Sequence, residues 1–294
     1  HNLAEDENSA EHRFRFASTW PARVPFLNVL SYRWLEAEHP DSSGFHLGIV
    51  GPVLEELMTK RKQNYLKSET DVALFWDFPC LPQLPRTPEE QHRFNKGLQL
   101  LNLVYGHNLS TIIMQTRLPL LSSLTTYEDS GWCFFERCVG HIFKNFGLHK
   151  PITWDSWAPW RSYQRTVPVL PEEFNLEIAN KVFASRKADL EQIQKLYRST
   201  WDAAVSSAVS INFQSCGWGD SEARQFSKVL PHFVVLKELR LRDNKIGDEG
   251  ARHLAAELAG SQIRHLNLEV NRIGDDGAKH LTADLADSQI QTLD

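Results

Sequence analysis

Leu236-Lys237-Glu238-Leu239-Arg240-Leu241-Arg242-Asp243-Asn244-Lys245-Ile246-Gly247-Asp248 returns 27 residues later as Ile263-Arg264-His265-Leu266-Asn267-Leu268-Glu269-Val270-Asn271-Arg272-Ile273-Gly274-Asp275. The offset continues through Gly250/Gly277, Ala251/Ala278, Leu254/Leu281 and Leu258/Leu285. A third start, Ile290-Gln291-Thr292-Leu293, stops at Asp294. A divergent copy precedes them: Ile211, Phe213, Cys216, Trp218-Gly219-Asp220, Ala223, Phe226 and Leu230, offset by about 28 residues. Alternation at Leu239 and Leu241 predicts a short strand with one face inward. Ala251, Leu254, Ala255 and Leu258 form a helical stripe, and Asn244 or Asn271 can hydrogen-bond backbone in the turn between. Each such unit leaves an apolar face open, so neighbours must cover it. The expectation is a repeat array over residues 208–294 that needs further repeats or a partner at its open edge.

The pattern resembles the ribonuclease-inhibitor type of leucine-rich repeat, LxxLxLxxNxIGDxGAxxLAxxL, strongly over 236–294 and weakly over 208–235. The resemblance implies a solenoid with Glu238, Arg240, Arg242, Asp243, His265, Asn267 and Glu269 on its concave face. A mixed-charge surface of this kind suits a protein partner, although simply solvated side chains would look the same.

The rest of the composition bounds the possibilities. Apolar residues make up 41% and charged residues 23% of 294, an ordinary globular balance. A net charge of -5 argues against nucleic acid or an anionic membrane as partner. No run approaches the roughly 18 apolar residues of a membrane span. Cys80, Cys133, Cys138 and Cys216 show no CxxC spacing, so reduced thiols in a cytoplasmic setting are expected. The start at His1 and the stop inside a repeat suggest a piece of something longer.

Strand-like and helix-like segments alternate between Phe26 and Phe146. Phe26–Tyr32 reads as a strand, Leu47–Lys60 as a helix and Asp71–Asp77 as a buried strand. A proline-rich loop follows, then a helix over Glu89–Tyr105, a strand at Thr111–Gln115, and a helix through Trp132 to Phe143 that Asp129 or Ser130 could cap. Such alternation argues for a parallel sheet with helices on both faces. On the last helix Arg137, His141 and Lys144 mark the wet stripe, with Glu136 at its apolar border.

Leu30-Ser31-Tyr32-Arg33-Trp34 resembles the LSYxW opening of the heterokaryon-incompatibility domain, itself similar to the TIR fold. Trp76-Asp77-Phe78-Pro79-Cys80-Leu81-Pro82-Gln83 resembles that family's WxDxxCIxQ, with the tryptophan one residue closer. Gln91, Leu101 and Tyr105 match its next helix, and Trp132-Cys133-Phe134-Phe135-Glu136 matches its WxxxE. Leu35 departs from the pattern, where a glycine is usual. The resemblance implies a TIR-like module over residues 19–146. Some TIR domains cleave NAD with the WxxxE glutamate and others self-associate to signal. Glu136 is then the implied catalytic residue, since a carboxylate can stabilise an oxocarbenium-like ribosyl centre. Ser31, Tyr32, Trp34, Asp77 and Trp132 are the implied cleft residues. Asp77 has a second reading, a cap that accepts backbone N–H groups in its loop. No cofactor or metal signature occurs, and NAD enters only as a substrate.

Residues 1–18 read as a flexible lead-in, and 147–207 as a connector rich in Trp and Pro (Trp154, Trp157, Trp160) followed by helix. Leu190, Ile193, Leu196, Tyr197 and Trp201 give that helix core spacing, and it is expected to cap the first repeat. Three readings follow: an interaction or signalling protein, an NAD- or nucleotide-cleaving enzyme using Glu136, and a structural subunit of a larger assembly.

Overall fold

The computed structural model describes residues 27–36, 38–64, 73–107, 110–120, 126–143, 149–151, 165–183, 186–286 and 288–294. The proposed lead-in and Trp154, Trp157 and Trp160 lie outside them. Among the described residues the chain is mixed α/β with two four-stranded sheets, each wholly parallel. It divides into two compact bodies. One takes in described residues of 23–163 and 169–198, the other those of 164–168 and 199–294. The described residues of the expected connector divide between the two, 149–151, 169–183 and 186–198 falling in the first and 165–168 and 199–207 in the second.

In the first body, β1 (Leu27–Tyr32), β2 (Ala73–Phe75), β3 (Thr111–Gln115) and β4 (His149–Pro151) stand in the order β2-β1-β3-β4. The inner strands LNVLSY and TIIMQ are buried along almost their whole length, as a parallel strand covered on both faces must be. Leu30 and Tyr32 pack with Val50 and Val53 of α1 (Phe45–Asn64). Ser31, on the opposite face, meets α4 (Gly131–Phe143) through Glu136. Between these helices lie α2 (Asp77–Cys80) and α3 (Pro88–Gly106). Thr87 and Glu90 close a capping box on α3, and the Asp41 carboxylate accepts from His46 and Leu47 in the first turn of α1.

Two expectations need correction here. Of the strand expected over 71–77, the described residues form strand at Ala73–Phe75 only, half-buried because it lies at the sheet edge, and Asp77 opens a helix instead. His141, expected in a wet stripe, is 1% exposed, since α4 is buried around nearly its whole circumference.

A stacked pair of rings, Phe174 of α5 (Pro171–Ile178) and Tyr197 of α6 (Arg186–Ser207), lies 3.8 Å apart in the same body.

In the second body, β5 (Ser210–Asn212), β6 (Glu238–Arg240), β7 (His265–Asn267) and β8 (Thr292–Leu293) pair in sequence order. The helices α7 (Asp220–Val229), α8 (Asp248–Leu258) and α9 (Asp275–Leu285) separate them. Asparagine amides tie one unit to the one before. Asn244 Nδ2 donates to the Phe213 and Leu241 carbonyls at 2.9 and 2.8 Å, and its Oδ1 accepts from Trp218 N at 3.0 Å. Asn271 repeats this on Leu241, Leu268 and Ile246. Aspartates tie one unit to the one after: Asp220 Oδ1 accepts from Gly247 and Gly250, and Asp248 Oδ1 from Gly274. A Cβ on Gly250 would stand 2.6 Å from that Asp220 oxygen, so the position admits no larger residue without loss of the contact. Beside the divergent unit, Arg165 donates to the Asn212 carbonyl and lies over Phe213, while Trp201 meets His232 and Phe233. The tail of α6 and the 165–168 segment therefore both cover the first repeat.

Asn244 is buried and holds three backbone groups, whereas Asn271 is half-buried and water can replace some of its bonds. Asn244→Ala is expected to cost about 3 kcal/mol in chemical denaturation, and Asn271→Ala about 1 kcal/mol.

Candidate functional site

β1 ends at Tyr32, and the chain leaves the sheet through Arg33 and Trp34. His46 fixes that exit. Its ring accepts from Gln115 Nε2 at Nδ1 (3.0 Å), so Nε2 carries the proton and donates to the Arg33 carbonyl at 2.9 Å. Burial holds the imidazole pKa down, in keeping with this neutral form. The end of β3, the start of α1 and the exit from β1 are thereby joined in one place.

Beyond the carboxyl ends of β1 and β2 opens a cavity of about 420 Å³. Open α/β sheets collect ligands at this end. Tyr32, Arg33 and Trp34 line it from β1, Asp77 from α2, Arg86 and Phe94 from α3 and the loop before it, and Trp132 and Glu136 from α4. Phe183 completes the wall. Its ring passes so close to the start of α4 that a Cβ on Gly131 would fall 2.0 Å from it.

Each carboxyl has its own hydrogen-bond set. Asp77 Oδ1 accepts from the Tyr32 hydroxyl at 2.7 Å and Phe78 N at 2.7 Å, and Oδ2 from Trp34 Nε1 at 3.0 Å. Burial pushes the Asp77 carboxyl up, and these donors pull it back. Glu136 is 7% exposed and its Oε2 accepts from Ser31 Oγ at 2.5 Å. Ser31 Oγ in turn lies 2.5 Å from the Tyr127 hydroxyl. The Tyr105 hydroxyl donates to the Leu30 carbonyl at 2.8 Å and lies beside the same carboxyl. Burial holds Glu136 well above the usual carboxylate range, opposed by Ser31 and reinforced by the charge on Asp77. With Glu136 ionised, the single Ser31 proton goes to Oε2 and Tyr127 donates to Ser31. With Glu136 protonated, the chain of donors can reverse. The buried Ser31 and Tyr127 hydroxyls can therefore answer either protonation state of Glu136.

Tyr32, Trp34, Asp77, Trp132 and Glu136 converge on one cavity, and Ser31 lies behind it, fully buried. Asp77 does accept a backbone N–H, and it also faces the cavity, so its two readings coexist. Sequence reasoning passed over Tyr127, Arg33 and Arg86. Tyr127 meets Ser31 across 96 residues of chain, and no local pattern marks it. Arg33 sits inside the LSYxW motif, where adjacency to the named residues was the available signal.

In the second body Leu239, Leu241, Leu266 and Leu268 are buried, and the residues between them face outward. Arg240, Arg242, Asp243, His265 and Glu269 are exposed, Glu238 and Asn267 half-buried. They form cross-strand pairs: Ser210 with Glu238, Ser215 with Asp243, Arg242 with Glu269, His265 with Thr292, Asn267 with Asp294. Exposed ion pairs contribute about 0–1 kcal/mol, so this surface is organised without being needed for folding. Ser210, Ser215, Thr292 and Asp294 join the row from the divergent and final units, which the motif match weighted least.

Comparison with known protein families matches the leucine-rich repeat family at residues 235–255 and 263–281. No heterokaryon-incompatibility or TIR-type domain is detected. Comparison with curated proteins gives no match. Among the described residues no helix is long and apolar enough to cross a membrane, and no group of His, Cys, Asp and Glu converges as a metal site.

The sign of the Glu136 shift fixes a pH dependence. A carboxyl held above its unfolded value contributes stability that is fully present below that unfolded value and is lost as pH rises through the folded one. Glu136→Gln keeps the shape and removes the ionisation. Its melting temperature is expected to match the parent near pH 4 and to exceed it increasingly toward pH 8, measured by thermal unfolding across that range.

Proposed function

We propose that the chain is an interaction or signalling protein of the cytoplasm, in which a heterokaryon-incompatibility/TIR-like module is joined to a leucine-rich-repeat solenoid that recognises a protein partner. The carrying observation is the unbroken parallel ladder β5-β6-β7-β8, which aligns Ser210, Glu238, His265 and Thr292 in one row and Asn212, Arg240 and Asn267 in the next. Leucine-rich repeats commonly bind proteins, and rows of exposed polar and charged side chains over a rigid apolar core are what such a surface requires. The sheet order β2-β1-β3-β4 and the convergence of the LSYxW, WxD and WxxxE residues support the module reading. For the partner surface, the double variant Arg240→Ala/Asn267→Ala is expected to weaken a co-purified partner at least tenfold in a direct binding titration. Arg252→Ala, on the helical side, should leave that affinity unchanged; equal loss in both would oppose this reading.

A second reading is favoured by the position of Glu136 in the cavity wall. In it the module cleaves NAD or a related nucleotide, with the Glu136 carboxylate facing the developing positive charge at the ribosyl carbon. Only the ionised form can do so, and burial raises the pKa, so the rate should climb with pH through that raised value. Nicotinamide release from NAD is the assay, with Glu136→Gln expected to reduce it about a hundredfold or more. Absence of release from the parent chain at pH 8 would remove this reading and leave the first untouched.

A further inference from the structure

Arg33 is 8% exposed, and its Nε is wholly enclosed without a hydrogen-bond partner. Among the described residues no carboxylate forms an ion pair with its guanidinium. Guanidinium carries five donors in a fixed fork and stays charged in any protein. Burying such a group unpaired is costly, so a side chain kept in this state calls for an acceptor from elsewhere. None of the described acids around it closes an ion pair with it: Asp189 on the cavity wall has an interaction of its own, and Asp129 feels the Arg33 charge only from beyond ion-pair distance. Asp77 has its three donors, Glu136 has Ser31, Glu36 accepts from Ser42, and Asp129 is held by Thr126. The backbone of Arg33 is pinned by His46, so the side chain cannot leave the cavity wall by a shift of the main chain.

We infer that Arg33 is the anchor for the oxyanion of a small, flat organic ligand, a carboxylate or a phosphate ester, held in the cavity beyond β1 and β2. Two oxygens in a plane match the guanidinium fork, which an ammonium or a lone water does not. The walls suit a flat ligand body: Trp34, Trp132, Phe94 and Phe183 offer aromatic surface around about 420 Å³. Arg86 adds a second positive group at the wall, its guanidinium 3.4 Å from the Phe94 ring and its Nε spent on the Pro82 carbonyl. Arg86 is thus tied to Pro82, Gln91 and Phe94, whereas no side-chain hydrogen bond holds Arg33 among the described residues. The assignment stands apart from the partner surface and from any role of Glu136 in bond cleavage.

Titration of the full chain with phenyl phosphate, benzoate and the neutral benzamide tests it, read by the fluorescence of the cavity tryptophans and by thermal shift. At least one of the two oxyanions is expected to bind saturably at millimolar concentration, with benzamide at least tenfold weaker. Whichever of phosphate and carboxylate binds better identifies the head group. Arg33→Met should weaken that binding at least tenfold while melting at or above the parent temperature, because it removes a buried cation without an acceptor. Arg33→Lys, which keeps charge but not the fork, should also weaken it and serves if the Met variant does not fold. No binding of either oxyanion, equal binding of benzamide, unchanged affinity in both variants, or a Met variant that folds but melts well below the parent would each overturn the assignment. The last would make Arg33 a structural strut.

Discussion

Parallel strand pairing places the same demand on both bodies of this protein. A parallel neighbour can be reached only by carrying the chain back across the sheet, and the returning helix must cover the apolar face that pairing leaves. Both bodies are therefore strings of β–α units, and what separates them is the order in which the strands are laid down. In the first, β2 and β3 fall on opposite sides of β1, so the connections diverge and leave a crevice where the strands finish. In the second, each strand joins the one before it, no divergence occurs, and the result is a broad continuous surface. One building block thus yields a pocket in one case and a face in the other.

The pocket carries an electrostatic tension that the face lacks. Glu136 is buried beside Asp77; burial raises its pKa, and the Ser31 hydroxyl opposes that rise. Arg33 lies at the same cavity with its Nε enclosed and without a partner. Stability alone would favour apolar residues at these positions. Their presence together, at the finishing end of two strands, is the observation on which the proposed site rests.

Much of this was legible in the chain. A repeated period is visible because each unit meets the same neighbours, so the same residue types recur at Leu239 and Leu266 or Asn244 and Asn271. The inner strands were legible because burial on both faces leaves almost nothing polar in them, and Thr111–Gln115 has the limits expected. The edge strand was overextended, since an apolar run does not reveal where pairing stops. Tyr127 was invisible because its partner lies 96 residues away. The burial of His141 was hidden for a related reason: a helical wheel records the spacing of side chains but not how many elements surround the helix. The unmet Nε of Arg33 is also a fact of three dimensions, since a sequence shows a donor but not whether an acceptor reaches it.

The reciprocal ties between units, aspartate reaching forward and asparagine reaching back, have a bearing on how such a chain can change length. A cut inside a unit strands a helix start on one side and an open turn on the other. Removing or adding one whole period of 27 or 28 residues rejoins ends that already fit. Growth of this region in whole steps, like courses of brick, follows from the positions of Asp220, Asp248, Asn244 and Asn271.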